Sequence, residues 1–338
     1  DERGNACGDM IVDFKNFTFQ KQFKQGQGTL YKQSIKNEYF TLMKNSINLG
    51  PRRIKAVLDC GNGTTSLFAK DLYHQFPLDF EVLFGESDAT FPNHHPDPSV
   101  ESNLEALKKR VVETKADVGL AFDGDGDRIG IVDNLGRMVP IDKYMILMMR
   151  DILPKTDKKR ILFDVKCSKA VEDEAKRLGA EYEMYRTGNS YMKARMFSGD
   201  YIFGGELSGH VWFRDHFPGF DSGIYGGLRM VELLSHHTES LSERLEDLPV
   251  YYSTNELKFP SPDDRKHQVI EKIKEYVKEK GYKMSEIDGV KVLFDDGWAL
   301  LRVSNTGPNI TARFEAKTKE RLQELENEFL SVLEKYNQ

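Results

Sequence analysis

From residue 52 onward the chain alternates short apolar runs with amphipathic stretches, and this alternation limits the folds open to it more than any other feature. "IKAVLDC", "SLFAKDLYHQF", "FEVLFG", "SNLEALKKRVVETK" and "DVGLAF" read as strand, helix, strand, helix and strand, the pattern of layered α/β structure. A second round begins near Arg160 with "RILFDV", the helix "KAVEDEAKRLG", the strand "AEYEMY", a helix near "SYMKARMF" and the strand "DYIFGGE". The two rounds read as distant copies of one design. The polar, turn-rich stretch "LPKTDKK", residues 153–159, serves as a boundary between them. After Pro249 the chain reads as a small α+β unit. "YYSTNELKF" is a strand, "DRKHQVIEKIKEYVKEKG" a helix, "GVKVLF", "WALLRVS" and "ITARFEA" strands, and "KERLQELENEFLSVLEKY" a closing helix. The expected units are 51–152, 153–249 and 250–338.

Residues 1–50 do not join this scheme. Phe14, Phe17, Phe19 and Phe23 interleave with Lys15, Lys21 and Lys24, a pattern able to stack on and neutralise nucleic acid. The buried face of a strand is the better reading, because the 338 residues carry a net charge of −6 and so disfavour a nucleic-acid partner. Small partners are expected. Cys7, Cys60 and Cys167 are odd in number and show no metal-ligand spacing, which suits a reduced, cytoplasmic protein. No apolar stretch approaches the roughly 20 residues that span a membrane, and the N-terminus lacks a signal-peptide core. No membrane partner is expected, and the Asn-x-Thr triplets at Asn16, Asn62 and Asn309 are chance matches on that reading.

The sharpest chemical signal is "LAFDGDGDRIGIVD", residues 120–133, where Asp123, Asp125 and Asp127 alternate with glycine between two apparent strands. Three ionised carboxylates so close repel one another unless a cation sits among them. Magnesium and calcium are the first candidates. Gly124 and Gly126 let the backbone fold tightly enough for the three to converge. An EF-hand also opens D-x-D-x-D, but it needs glycine at the sixth position and glutamate at the twelfth, where this chain has Arg128 and Asn134. The plain alternative is an acidic turn without metal, but an arginine able to hold a phosphate follows the third aspartate at once.

Other stretches remain open to two readings. "DCGNGTTS", residues 59–66, is a glycine turn with Thr64 or Thr65 as helix cap; it lacks the third glycine of a dinucleotide fingerprint and reads as structural punctuation. In "GGELSGHVWF", Glu206, Ser208 and His210 recur at every second position. On an extended segment they would face one way and read sugar hydroxyls, or form the polar face of an edge strand. "RVSNTGPN", residues 302–309, offers Arg302, Ser304, Asn305 and Thr306 as a phosphate cradle, or is a turn before Pro308. Lys166, and Arg186, Asn189 and Lys193 around "RTGNSYMK", are in isolation ordinary solvated surface.

Together, "DCGNG", "FPNHHPDP", "GLAFDGDGDR", "ILFDVKCS", "GGELSGHVWF", "GFDSGIY" and "RVSNTGPNITARFEA" resemble the α-D-phosphohexomutases, most closely the bacterial phosphomannomutase/phosphoglucomutase type. The resemblance runs over about residues 27–330. It implies tandem mixed-sheet α/β domains around a cleft plus a smaller C-terminal α+β domain. It also implies interconversion of hexose 1-phosphate and hexose 6-phosphate through a bisphosphorylated hexose, fed by a phosphoserine in a first domain. Mapped by this resemblance, Asp123, Asp125 and Asp127 hold Mg²⁺, and Arg128 and Lys166 are the catalytic cations by the transferring phosphate. Asn189, Glu206, Ser208 and His210 bind sugar, while Arg302, Ser304, Asn305 and Thr306 take the non-reacting phosphate. The partners implied are hexose phosphates of mannose or glucose.

Two departures qualify the expectation. The family's T-G-H-S stands here as Thr187, Gly188, Asn189 and Ser190, and asparagine cannot titrate near neutral pH as histidine does. The T-A-S-H-N-P type phosphoserine loop is absent, since Ser34 and Ser46, the only serines ahead of residue 51, are not followed by histidine. The opening "DERG" is similar to the family's D-x-R-G. Residues 1–50 are therefore expected to be a remnant or replacement of the first domain and linker, and the 338 residues alone to be inactive or severely impaired. Surface uncovered by a missing domain would favour self-association. The alternative expectation is a catalytically silent phosphosugar- and Mg-binding module.

Overall fold

The structure is a computed structural model that describes residues 9–304 and 307–338. "DERG" and Cys7, like Asn305 and Thr306, lie outside the described residues.

Runs such as "KAVLD" and "VGLAF" bury nearly every residue, as strands covered on both faces must. The first sheet contains β1 (Lys55–Asp59), β2 (Asp79–Leu83), β3 (Val118–Phe122), β4 (Ile129–Asp133) and β5 (Met138–Val139), in the order β2-β1-β3-β4-β5. β2, β1 and β3 are parallel; β4 runs antiparallel to β3, and β5 to β4. The second sheet contains β6 (Arg160–Asp164), β7 (Glu181–Tyr185), β8 (Phe203–Gly205) and β9 (Val211–Phe213), in the order β7-β6-β8-β9, again with only the last strand antiparallel. The two rounds read from sequence thus share one topology, and β3–β4 in the first corresponds to β8–β9 in the second.

The third sheet is antiparallel throughout and contains β10 (Tyr252–Ser253), β11 (Leu257–Pro260), β12 (Lys283–Ser285), β13 (Val290–Phe294), β14 (Gly297–Val303) and β15 (Asn309–Ala316). Helices Lys266–Glu279 and Lys319–Tyr336 pack on it. The expected single strand "YYSTNELKF" is two strands, because β10 and β11 pair with separate parts of β15.

Packing sets the three sheets together. Helix Gly223–Ser235 follows β9 in the chain yet packs under β3 and β4, buried almost all round. The first two sheets therefore share one apolar core, while the third has its own. A small cluster of Val165, Trp298 and Leu300, with Met184 against it, fills the seam between the second and third sheets.

The N-terminal segment differs from expectation. Its aromatics are not the buried face of a strand: Asp9–Phe19 is helical, and Phe14, Phe17, Phe19 and Phe23 are exposed. Met10, Phe14 and Phe17 also obey helical spacing, and without a partner sheet the local helix prevails.

Candidate functional site

Phe122 pairs with Ile129, so residues 123–128 form the tip between β3 and β4, as the flanking apolar runs foretold. Asp123 is buried; its Oδ1 accepts the Gly126 and Arg128 amides, each at 3.0 Å, and its Oδ2 accepts Arg128 Nε at 2.7 Å. Gly126 has φ +82°, and a Cβ there would lie 2.6 Å from the Thr65 methyl. The "DCGNG" turn buttresses this tip, for the Thr64 amide donates to Gly124 O at 2.9 Å. No threonine caps the short helix that follows; Gly63 stands at the cap and leaves no room beside Gly124 for a side chain.

One oxygen each of Asp123, Asp125 and Asp127 lie within 4.8 Å of one another. Partial burial, then the charge of Asp123, lifts Asp125 above its ordinary carboxylate value. A cluster of hard oxygen donors under mutual repulsion suits a small divalent cation such as Mg²⁺, so the residues fit the metal expected.

The corresponding tip of the second sheet, Glu206–His210, meets this loop. It is not an extended segment: the Gly209 amide donates to Glu206 O and the Glu206 amide to His210 O, closing a tight hairpin. The turn itself brings the three polar side chains together, with Ser208 Oγ 3.0 Å and Glu206 Oε2 2.9 Å from His210 Nδ1. The Ile129 amide donates to Gly209 O at 3.1 Å, and Arg128 bridges His210. His210 Nε2 reaches Asp127 Oδ1 at 3.3 Å. Burial disfavours its imidazolium, but Asp127 and Glu206 outweigh burial and raise its pKa to about 10.

Asn189 opens helix Asn189–Ser198, with Nδ2 3.3 Å from Asp127 and hydrogen-bonded to Asp221. Asp127, His210 and Asp221 also converge within 4.8 Å. Sequence reasoning did not single out Asp221, although glycines flank it closely in "GFDSG". It missed Asp97 as well, which accepts from Arg128 Nη1 at 3.1 Å.

Lys166 is not solvated surface. It is 9% exposed and pairs with Glu256 at 3.1 Å; burial lowers its pKa, but Asp164 and Glu256 leave it above the ordinary value. Arg186 stacks over Tyr191 at 3.9 Å, and Lys193 lies 3.6 Å from Asp221. Arg302 is buried on β14 and held by Asp288 at 2.9 Å. The same Asp288 carboxylate accepts the Thr187 amide at 3.0 Å, next to Gly188, whose amide donates to Glu206 at 2.6 Å. Ser304 closes the strand pair through its amide to Asn309 O. An unbroken run of contacts thus links the acidic loop to Arg302; Asn305 and Thr306, beyond it, are not described.

Family models match in order: phosphoglucomutase/phosphomannomutase alpha/beta/alpha domain II over residues 31–136, alpha/beta/alpha domain III over 140–252 and the C-terminal domain over 256–332. A phosphomannomutase/phosphoglucomutase of Pseudomonas syringae is 38% identical over 324 residues, 96% of this chain and 68% of that protein. A Neisseria meningitidis phosphoglucomutase is 37% identical over 98% of this chain and 72% of its own length. The crystal structure of a phosphoglucomutase/phosphomannomutase family protein from Burkholderia thailandensis superposes with a TM-score of 0.90 at 33% identity, covering 98% of this chain and 71% of that one. With three family domains in sequence, the first two on mixed sheets and the third on an antiparallel one, this chain belongs to the phosphoglucomutase/phosphomannomutase family.

Proposed function

We propose that the 338 residues carry the metal-, sugar- and phosphate-binding parts of a phosphohexomutase that interconverts hexose 1- and 6-phosphates of mannose or glucose through a bisphosphate. The observation that carries this reading is the run of contacts from Asp123 through Arg128 to His210, which also reaches Asp127, and on through Glu206, Gly188, Thr187 and Asp288 to Arg302. It joins a cation cage to an anion cradle across a patch of hydroxyl-reading groups. On this reading residues 51–152, 153–249 and 250–338 supply the three parts in turn.

Transfer of a phosphoryl group depends mainly on positioning and charge stabilisation. A magnesium ion held by Asp123, Asp125 and Asp127 would neutralise charge on the phosphate oxygens. Arg128, aimed by Asp97 and Asp123, and Lys166, aimed by Glu256, flank the transferring group. Glu206, Ser208, His210 and Asn189 orient sugar hydroxyls, and Arg302 with Ser304, Asn305 and Thr306 takes the phosphate at the other end. A bisphosphate that turns round in this frame presents either end to the same cations.

No serine ahead of residue 51 stands in a loop of the phosphoserine type. Ser46 is buried and its hydroxyl donates to Leu42 O in its own helix, while Ser34 is exposed. Neither suits a nucleophile facing Asp123. We therefore assign the carrier to neither of them, and the 338 residues alone are expected to bind phosphosugar and Mg²⁺ with little turnover. A coupled assay with mannose 1-phosphate, glucose 1-phosphate, Mg²⁺ and glucose 1,6-bisphosphate, beside calorimetry with the bisphosphate, tests both claims. Binding without turnover is expected. Turnover abolished by Asp125→Ala would place a carrier within the chain, and absence of binding would overturn the phosphosugar reading.

A further inference from the structure

The segment leaving β6 carries Lys166, yet its backbone is gripped from the third sheet. Lys291 on β13 donates from Nζ to Val165 O at 2.8 Å, and Arg313 on β15 donates from Nη1 to the next carbonyl, that of Lys166. Glu315 completes the grip, accepting the Lys169 amide at 2.8 Å and the Trp298 indole N–H at 2.7 Å. Lys291, Arg313 and Glu315 are 5%, 6% and 1% exposed. The Lys291 ammonium lies 4.1 Å over the Trp298 ring. Buried ionic groups often stabilise a seam no better than apolar residues of similar volume, which leaves room for a role besides folding.

Holding two successive carbonyls fixes the peptide planes on both sides of the Lys166 Cα, and with them the direction in which its side chain leaves the backbone. We propose that Lys291 and Arg313 are positioning residues for Lys166, so that seating of the third sheet, which presents Arg302 to one phosphate, also aims Lys166 at the other. This rests on the role of Lys166 proposed above. The groups facing Lys291 agree with a cation held under strain: burial pushes it down to about 8, Glu315, Cys167 and Asp164 pull it up, and Arg313 opposes it.

The test is a double-mutant cycle on the full chain, read by calorimetry with glucose 1,6-bisphosphate. Lys291→Met should weaken binding about tenfold, the loss of one hydrogen bond made by a charged donor, and Lys291→Arg should restore it. In a Lys166→Met background the Lys291→Met change should have no further effect. Native affinity in Lys291→Met, or a full additional loss on Lys166→Met, would overturn the proposal. If Lys291→Met does not fold, Arg313→Lys takes its place in the cycle. Should the native chain fail to bind the bisphosphate, the phosphosugar reading falls; amide exchange across residues 165–169 then decides the grip, and rates unchanged by Lys291→Met would overturn it.

Discussion

Asp123 has Arg128 and two backbone amides to balance its charge, whereas Asp125 has burial and Asp123 set against it. Replacing Asp125 by asparagine should therefore leave the metal-free melting temperature equal or higher while weakening Mg²⁺ by more than the roughly tenfold that loss of an outer partner brings. Calorimetry with Mg²⁺ and a thermal melt of one sample give both numbers. Lys291 makes a second prediction. Its folded pKa of about 8 lies below the ordinary lysine value of 10.5, so between those values the unfolded chain binds more protons and stability rises with pH. Native stability relative to Lys291→Met should climb from pH 8 to 10.5 by up to about 3 kcal/mol. Denaturant titrations of the two chains at pH 7.5 and 10 measure the difference, and a difference that is flat in pH would put Lys291 in contact with water.

Elements, more than single residues, explain what the sequence made legible. The acidic tip was readable because its strands, glycines and carboxylates all lie within fourteen letters. The convergence of Glu206, Ser208 and His210 was expected for a different reason, since every-second-residue spacing describes a strand and a tight hairpin tip equally well. Lys166 looked like surface because its partner Glu256 and its cover from β13 and β15 lie 90 to 150 residues onward, beyond any local pattern. The two hairpin tips meet through Gly209, whose φ is +107° and whose Cβ would sit 2.7 Å from Ile129 O. Gly209→Ala should cost at least about 1–2 kcal/mol from backbone strain alone. It should also loosen the Glu206–His210 tip from the acidic loop. Urea unfolding together with bisphosphate affinity would show both losses, and a fully native affinity would mean that the tips need not touch.

Across the whole molecule, the chain spans 68% and 72% of the two relatives compared, while those matches cover 96% and 98% of it. The exposed apolar side chains between Met10 and Ile35 form its least comfortable surface. We expect the 338 residues to self-associate through that segment. Replacing Phe14, Phe17 and Phe19 by glutamate should lower the light-scattering mass and the binding of an apolar dye, with the melting temperature of the three sheets unmoved. A native chain that is monomeric and binds no dye would count against this.

The repeated order of the first two sheets has a further meaning. β3–β4 and β8–β9 are the same hairpin at the same place in two copies of one unit, yet one tip bears three carboxylates and the other an acid, a hydroxyl and an imidazole. Duplication followed by division of labour would produce this arrangement, in which neither copy closes a site by itself. On the proposed function, the side chains of one tip can then change, and with them the choice of sugar, without altering the carboxylates of its twin.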